Sequence, residues 1–293
     1  MDVLSDVLRS MHVTASIYFC DCLNAPWSRT FSDAGQANFH MIRRGQCWLT
    51  TEDCTERLGP GDFVFTEPGY EHSLSSARPD DTADVESAET LLLCGYCHFE
   101  TPLTHPLLKS LPSLTIVRSE QLHELAWLRS TLDQLSSEYL SQKPGSEVVV
   151  DKLTEALFVE LIRNNFGLYA GHTFMAALHD KSVGRALELL HANTQQAWTI
   201  DALARNVGLS RAAFAKRFRS LVGQTVFEYL THLRMQRAKE LLRRPDLRLH
   251  EVAAQVGYES DLAFTRAFKR VYELTPTRFR KSISLSSDSE LPS

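Results

Sequence analysis

The sequence predicts an α+β chain: a β-barrel or sandwich with a helix pair in its N-terminal part, then an all-α domain. Three observations carry that prediction. Short runs rich in β-branched, aromatic and cysteine residues alternate with Gly, Pro and Asp turns from Ser16 to Glu100. Two leucine-rich stretches of helical period come next, over 119–141 and 147–166. One pattern of apolar residues around a glycine then occurs twice in the C-terminal part. At 293 residues and 43% hydrophobic content the chain can build two domains, each with its own core.

In chain order, Val3, Leu4, Val7, Leu8 and Met11 recur at helical spacing and predict a short amphipathic helix packed on the segment next to it in sequence. The strand candidates are 17–22, 39–42, 47–51, 62–65 and 91–99, and short strands at such intervals close into a sandwich or barrel. The turn from Gly59 to Asp62 leads into one strand, and Pro68-Gly69 ends it before His72. Asp80, Asp81, Asp84 and Glu86 crowd one polar stretch that reads as a solvated surface loop. Leu122, Leu125, Leu128, Leu132 and Leu135 mark one face of the first later helix, and Val150, Leu153, Leu157, Phe158 and Leu161 mark one face of the second. The run Lys143 to Ser146 separates them, and their apolar faces are buried either within a protomer or across a dimer. Residues 167–180 read as an interdomain linker. The expected domains are therefore 1–170 and 181–283, with 284–293, rich in Ser, Asp and Glu, as a disordered tail.

The repeat is the most specific feature. Leu249, Val252, Ala253 and Val256 predict one helix, Gly257 a tight turn, and Phe264, Phe268 and Val271 a second helix with these residues inward. That is a helix-turn-helix. Residues 204–208 correspond to 253–257, Phe214 and Phe218 to Phe264 and Phe268, and Gln224-Thr225 to Leu274-Thr275. The offset is 49 before the turn and 50 after it, so the second turn carries one extra residue. With the phenylalanines inward, Ala212, Lys216 and Arg219 occupy the positions of Leu262, Arg266 and Lys269 on the outer face. Basic outer faces of this kind suit the major groove. The candidate DNA-binding residues are Arg211, Ala212, Ala215, Lys216 and Arg219 in the first copy, and Asp261, Leu262, Thr265, Arg266 and Lys269 in the second. Asp261 has two readings: it accepts from a cytosine amino group, or it caps its helix together with Ser260. Between the copies, 225–244 reads as one helix of roughly 30 Å. Successive major grooves lie roughly 34 Å apart, so one chain can serve two neighbouring grooves.

The run A-x-x-V-G-Y-x-S-x-x-x-F-x-R-x-F-K over 253–269, continued by T-P-x-x-F-R over 275–280, closely resembles the AraC/XylS family of transcription regulators. That family's DNA-binding domain is a pair of helix-turn-helix units joined by a long helix. Two positions depart from its pattern: Glu273 replaces a glycine and Val226 a proline, which implies altered turn geometry or a small loss of stability. Residues 39–49 and 58–74 resemble the family's cupin-type sensor domain. The resemblance implies a sequence-specific regulator that binds double-stranded promoter DNA, works with RNA polymerase, forms a homodimer and takes a signal on its cupin-like domain. The signal is a small-molecule effector or an oxidant. Cupins often hold a metal through paired histidines and a carboxylate, but the His-x-His and following Glu are missing around His40. His40, His72 and His98 therefore read as isolated residues with local hydrogen bonds, and no metal, cofactor or catalytic residue is expected; the rival readings are a cupin metalloenzyme with a DNA-binding appendage and a constitutive DNA-binding protein.

Charge divides the chain in the same way. Residues 180–283 carry 19 Lys+Arg against 10 Asp+Glu, or +9, and the rest carries 12 against 26, or −14. Only the basic part is suited to phosphate. No apolar run reaches the roughly 18 residues of a membrane span, and Met1 to Met11 lacks the features of a signal peptide, so a cytoplasmic protein is expected. All six cysteines fall in the N-terminal part. Cys20 and Cys22 share a strand face, and Cys94 and Cys97 lie near His98, where an imidazolium lowers a thiol pKa. These four are the candidates for redox sensing. The bland alternative is that they are small apolar core residues.

Overall fold

The computed structural model describes residues 2–33, 35–78, 89–100, 105–124, 126–163 and 174–288. The first elements are α1 (Val3–Ser10), β1 (Val13–Asn24), β2 (Ser28–Phe31), β3 (Gln36–Arg44), β4 (Cys47–Thr50), β5 (Thr55–Leu58), β6 (Phe63–Thr66), β7 (His72–Ser75) and β8 (Glu89–Phe99). Next come α2 (Pro106–Lys109), β9 (Leu114–Val117), α3 (Ser119–Glu124), α4 (Ala126–Ser141), α5 (Ser146–Arg163) and α6 (Phe174–His179). The remaining helices are α7 (Lys181–Ala192), α8 (Ile200–Asn206), α9 (Arg211–Val222), α10 (Val226–Leu242), α11 (Leu249–Gln255), α12 (Asp261–Tyr272) and α13 (Pro276–Asp288). No helix among the described residues is long and apolar enough to cross a membrane. The chain divides into a unit of Met11–Leu103 with Leu108–Ala170, and a unit of Met1–Ser10, Thr104–Leu107 and Gly171–Ser293.

The first unit holds two antiparallel sheets, ordered β1-β8-β3-β6-β9 and β2-β7-β4-β5. Ile42, Cys47, Leu49, Leu58, Val64, Leu74, Leu92 and Cys94 fill the space between them. The other face of the five-stranded sheet is covered by α5, whose Phe158 lies 5.2 Å from the Phe99 ring and 6.4 Å from that of Phe65. Burial on both faces is why β3 and β8 read as nearly continuous apolar runs. All five strand candidates are strands, and four more of four residues each join them: β2, β5, β7 and β9.

The second unit is helical, and three sequence expectations change there. Helix α1 packs on α7: the Asp6 carboxylate meets His191 Nδ1 at 2.5 Å, and His191 Nε2 meets the Tyr229 hydroxyl at 2.6 Å. The supposed linker contains α6, whose Phe174 is buried and stacks on Tyr229, so the unit starts before Lys181. The supposed tail is helical as far as Asp288. The acidic stretch at 80–86, residues 167–173 of the linker, residues 289–293 and the side chains of Leu122 and Leu125 lie outside the described residues.

Candidate functional site

The two helix-turn-helix repeats agree bond by bond up to one point. In the first, Val207 N–H donates to Leu203 O and Leu209 N–H to Ala204 O; in the second, Val256 N–H donates to Val252 O and Tyr258 N–H to Ala253 O. Gly208 and Gly257 both adopt positive φ, +70° and +81°. The offset becomes 50 at the caps, where the Ser210 hydroxyl accepts from Ala213 N–H and the Ser260 hydroxyl from Ala263 N–H, so Glu259 is the inserted residue. Each second helix is 12 residues long, with its phenylalanines inward: Phe214 and Phe218 stand 5.8 Å apart, Phe264 and Phe268 5.9 Å, and all four are fully buried. Helix α10 serves both cores, through Tyr229 against Phe218 and through Met235, Ala238 and Leu242 with Phe264 and Phe268. Its 17 residues span about 25 Å, shorter than expected, and Phe227 in its first turn is exposed.

Of the ten candidate DNA-binding residues, Arg211, Ala212, Lys216, Arg219, Asp261, Leu262, Arg266 and Lys269 are exposed, and Ala215 and Thr265 are half-buried as a matched pair. Ser260 is the cap of α12, which leaves the exposed Asp261 in the first turn. Leu262 is 59% exposed, a conspicuous position for leucine. Arg211 lies 3.5 Å from Asp201. Arg217, on the same basic helix, is held by the Asp180 carboxylate that caps α7.

In the β unit the histidines are not isolated, and this corrects the sequence reading. His40 on β3 and His72 on β7 meet at 2.8 Å through their Nε2 atoms, and His40 Nδ1 lies 3.0 Å from Cys94 Sγ. Phe31 packs against both rings, at 4.5 and 5.1 Å. The proton positions are set from one end. His72 Nδ1 lies 2.8 Å from the Tyr70 carbonyl, which only accepts, so Nδ1 carries the proton and Nε2 of the neutral ring accepts. His40 Nε2–H must then donate to it, and the bare His40 Nδ1 accepts from the Cys94 thiol. Burial keeps both imidazoles below their ordinary pKa, His40 well below with the neighbouring His72 adding to the effect, and so keeps them neutral. It also holds the Cys94 thiol protonated, far above the usual range. Cys94 and His72 address opposite edges of the His40 ring, and among the described residues no group of three His, Cys, Asp or Glu side chains is placed to hold a metal. His72 and Tyr70 line a cleft of about 570 Å³ that also receives Thr30, Thr50, Glu67 and Glu71.

Residues 2–167 match the Cupin family and residues 203–282 match a helix-turn-helix domain. The regulator AlkR of Acinetobacter baylyi is 27% identical over 96% of this chain and 99% of its own length. The Escherichia coli "RCS-specific HTH-type transcriptional activator RclR" is 28% identical over 97% of this chain and 98% of its own. The chain belongs to the AraC/XylS family of transcription regulators. A solved DNA-binding domain, that of AdpA in complex with a target DNA, is 26% identical over 37% of the chain and 97% of that domain, with a TM-score of 0.36.

In this regulator the four redox candidates do not come together. Cys20 pairs with Leu93 and Cys22 with Leu91, so both face the side of the sheet opposite to Cys94. Cys97 shares that outer side and is fully buried, with burial first and Glu155 second pushing its thiol pKa up. His98 does not activate a thiol as expected: it is exposed, points away from Cys97, and lies four residues from Cys94, about 13 Å along the strand. Sequence reading missed the partner Cys94 does have. His40 is 54 residues away, and only the β3–β8 register brings it there.

Proposed function

We propose that this AraC-type regulator reads promoter DNA with α9 and α12 and switches transcription when an oxidant reaches the Cys94–His40–His72 chain. The observation that carries the first part is the pairing of Lys216 with Arg266 and of Ala212 with Leu262 on the exposed faces of two helices with the same buried core. Lys216 and Arg266 reach guanine edges or phosphates, and Leu262 supplies an apolar contact of the kind a thymine methyl takes. The observation that carries the second part is a thiol donating to a neutral imidazole, which is an arrangement for delivering a proton as sulfur reacts. The Escherichia coli relative, an RCS-specific activator by name, supports the same class of signal.

The step balances with hypochlorous acid as the oxidant. Cys94 sulfur loses two electrons and gains a hydroxyl to become a sulfenic acid, the chlorine leaves as chloride, and the thiol proton departs by way of His40 Nδ1. The added oxygen has no room between Sγ and His40 Nδ1, which stand 3.0 Å apart in a fully buried site, so the change propagates to the β3, β7 and β8 strands that frame the chain. A second copy of the protein pairs through the apolar end of the α4–α5 hairpin, where Leu140, Val148 and Val149 are 57%, 63% and 42% exposed. The bound complex then acts through RNA polymerase.

The test uses full-length protein and duplexes that it selects from a randomised library. Hypochlorous acid should change the affinity of wild type by about tenfold, within the usual range of coupling between two sites. Cys94→Ser should lose the response, whereas Cys20→Ala, Cys22→Ala and Cys97→Ala should keep it. An intact response in Cys94→Ser rejects the oxidant reading and favours a small organic effector in the cleft. Metal analysis of the same preparation addresses the rival view of the barrel as a metalloenzyme.

A further inference from the structure

The two repeats touch at a joint that lies off the axis of α10. Arg234 sits on α10 between Tyr229, which packs on the first repeat, and Met235 and Ala238, which belong to the core of the second. Its Nε donates to Thr194 O at 2.9 Å and its Nη2 to Gln196 O at 2.9 Å. Both carbonyls belong to the turn that leads from α7 into the first repeat. That turn is firm: Gln196 N–H donates to Asn193 O, Trp198 N–H to Gln196 O, and the buried Trp198 indole to Asn193 O. On its other side the guanidinium lies over the Tyr258 ring, 5.6 Å from the centroid, in the turn of the second repeat. Gly257 closes the joint. A Cβ there would stand 2.5 Å from Gln195 O and 2.7 Å from Arg234 Nη2, whereas a Cβ on its counterpart Gly208 would meet nothing within 4 Å.

A single helix shared by two repeats is free to bend and twist between the two cores it serves. A second attachment away from the helix axis removes that freedom. We infer that Arg234, clamped between the Thr194–Gln196 carbonyls and Tyr258, and seated against Gly257, sets the angle between α9 and α12 and thereby the spacing of the two DNA segments the protein accepts. Arg234 and Gly257 are positioning residues: they need not touch DNA. The inference rests on the reading that α9 and α12 both meet DNA, and it adds that they do so as one rigid reader.

The test starts from a duplex selected by full-length wild-type protein and adds one to four base pairs between its two contacted segments. Each added pair displaces one segment by about 3.4 Å and turns it by about 35°. Wild type should lose at least about tenfold in affinity by the second insertion, because a rigid pair cannot follow. Arg234→Met, with its thermal melting measured first, should bind the parent duplex about tenfold more weakly, vary by less than about threefold across the series, and bind either segment alone as wild type does. Arg234→Lys keeps the charge but cannot fork to both carbonyls. It should fall between the two, and it decides the matter if Arg234→Met does not fold. Indifference of wild type to the insertions overturns the inference, as does an unchanged spacing penalty in either folded variant. A loss on single segments as large as the loss on the parent duplex also overturns it, since that is damage to one repeat. Lys216→Ala and Arg266→Ala on the same duplex report separately on whether α9 and α12 make the contacts.

Discussion

The first repeat closes its second helix on Gly223 and the second repeat on Glu273, yet the two caps are the same. Both residues adopt the left-handed conformation, at φ +80° and +60°, and their N–H groups donate to Arg219 O at 2.9 Å and Lys269 O at 2.8 Å. The altered turn that the substitution suggested is absent, and its cost is strain in place of a changed path. The turns show the reverse. Gly208 and Gly257 are the same residue at the same φ sign, but only Gly257 has neighbours that exclude a side chain. The comparison teaches that the buried phenylalanines and caps set the repeat, while glycine at one site answers to the backbone alone and at the other to a neighbouring chain segment.

The comparison can be broken most severely at the cores. Phe214→Ala and Phe264→Ala should each cost about 3–5 kcal/mol, and melting of the full-length protein should show equal losses if the repeats are equivalent inside. The turns should respond unequally. Gly208→Ala should cost about 1 kcal/mol, the price of a left-handed alanine, and Gly257→Ala about 3 kcal/mol once the overlap with Gln195 is added. At the outer faces, Lys216→Ala and Arg266→Ala should each weaken binding to the selected duplex by about 1–3 kcal/mol if they make bidentate base contacts, and should relax preference at a few base pairs. A loss uniform across sequences would assign them to phosphates. Glu273→Gly should stabilise by about 1 kcal/mol, and Gly223→Ala should destabilise by a similar amount, both read from denaturant midpoints.

Acid gives the smallest and most selective contrast. The bond to Arg217 holds the Asp180 carboxyl below its ordinary value of 3.8, and the counterpart of Arg217 is the buried Ala267. A depressed folded pKa contributes stability that is present above about pH 4 and is lost as pH falls through the lower, folded value. Asp180→Asn should therefore flatten part of the fall in melting temperature between about pH 5 and 3. An unchanged slope would mean that this half-exposed pair contributes nothing to the first repeat.

The helical repeats were legible because their signal is local: Phe214 and Phe218, or Phe264 and Phe268, state a helix face within one turn. The long strands were legible for a similar reason, since burial on both faces writes apolar runs at 39–42 and 91–99. Strands β2, β5 and β7, with the sequences SRTF, TERL and HSLS, carry no such run and exist because a neighbouring strand supplies their hydrogen bonds. The His40–His72–Cys94 chain was hidden for that reason too, each member being an ordinary residue until β3, β7 and β8 are in register. Arg217 and Arg234 carry no mark of their roles in the sequence. One is tied to a helix cap and the other to two backbone carbonyls, and a backbone carbonyl has no letter in the sequence.

The docking of α1 has a genetic consequence. Asp6 lies 185 residues before His191, yet its carboxylate completes the chain from His191 to Tyr229 inside the helical unit. In a genetic screen, an Asp6→Ala allele would map by position next to the β unit while its defect lay in the folding of the helical unit. Alleles of Asp6 and Tyr229 should therefore fall into one phenotypic class, apart from those at Cys94 and His40.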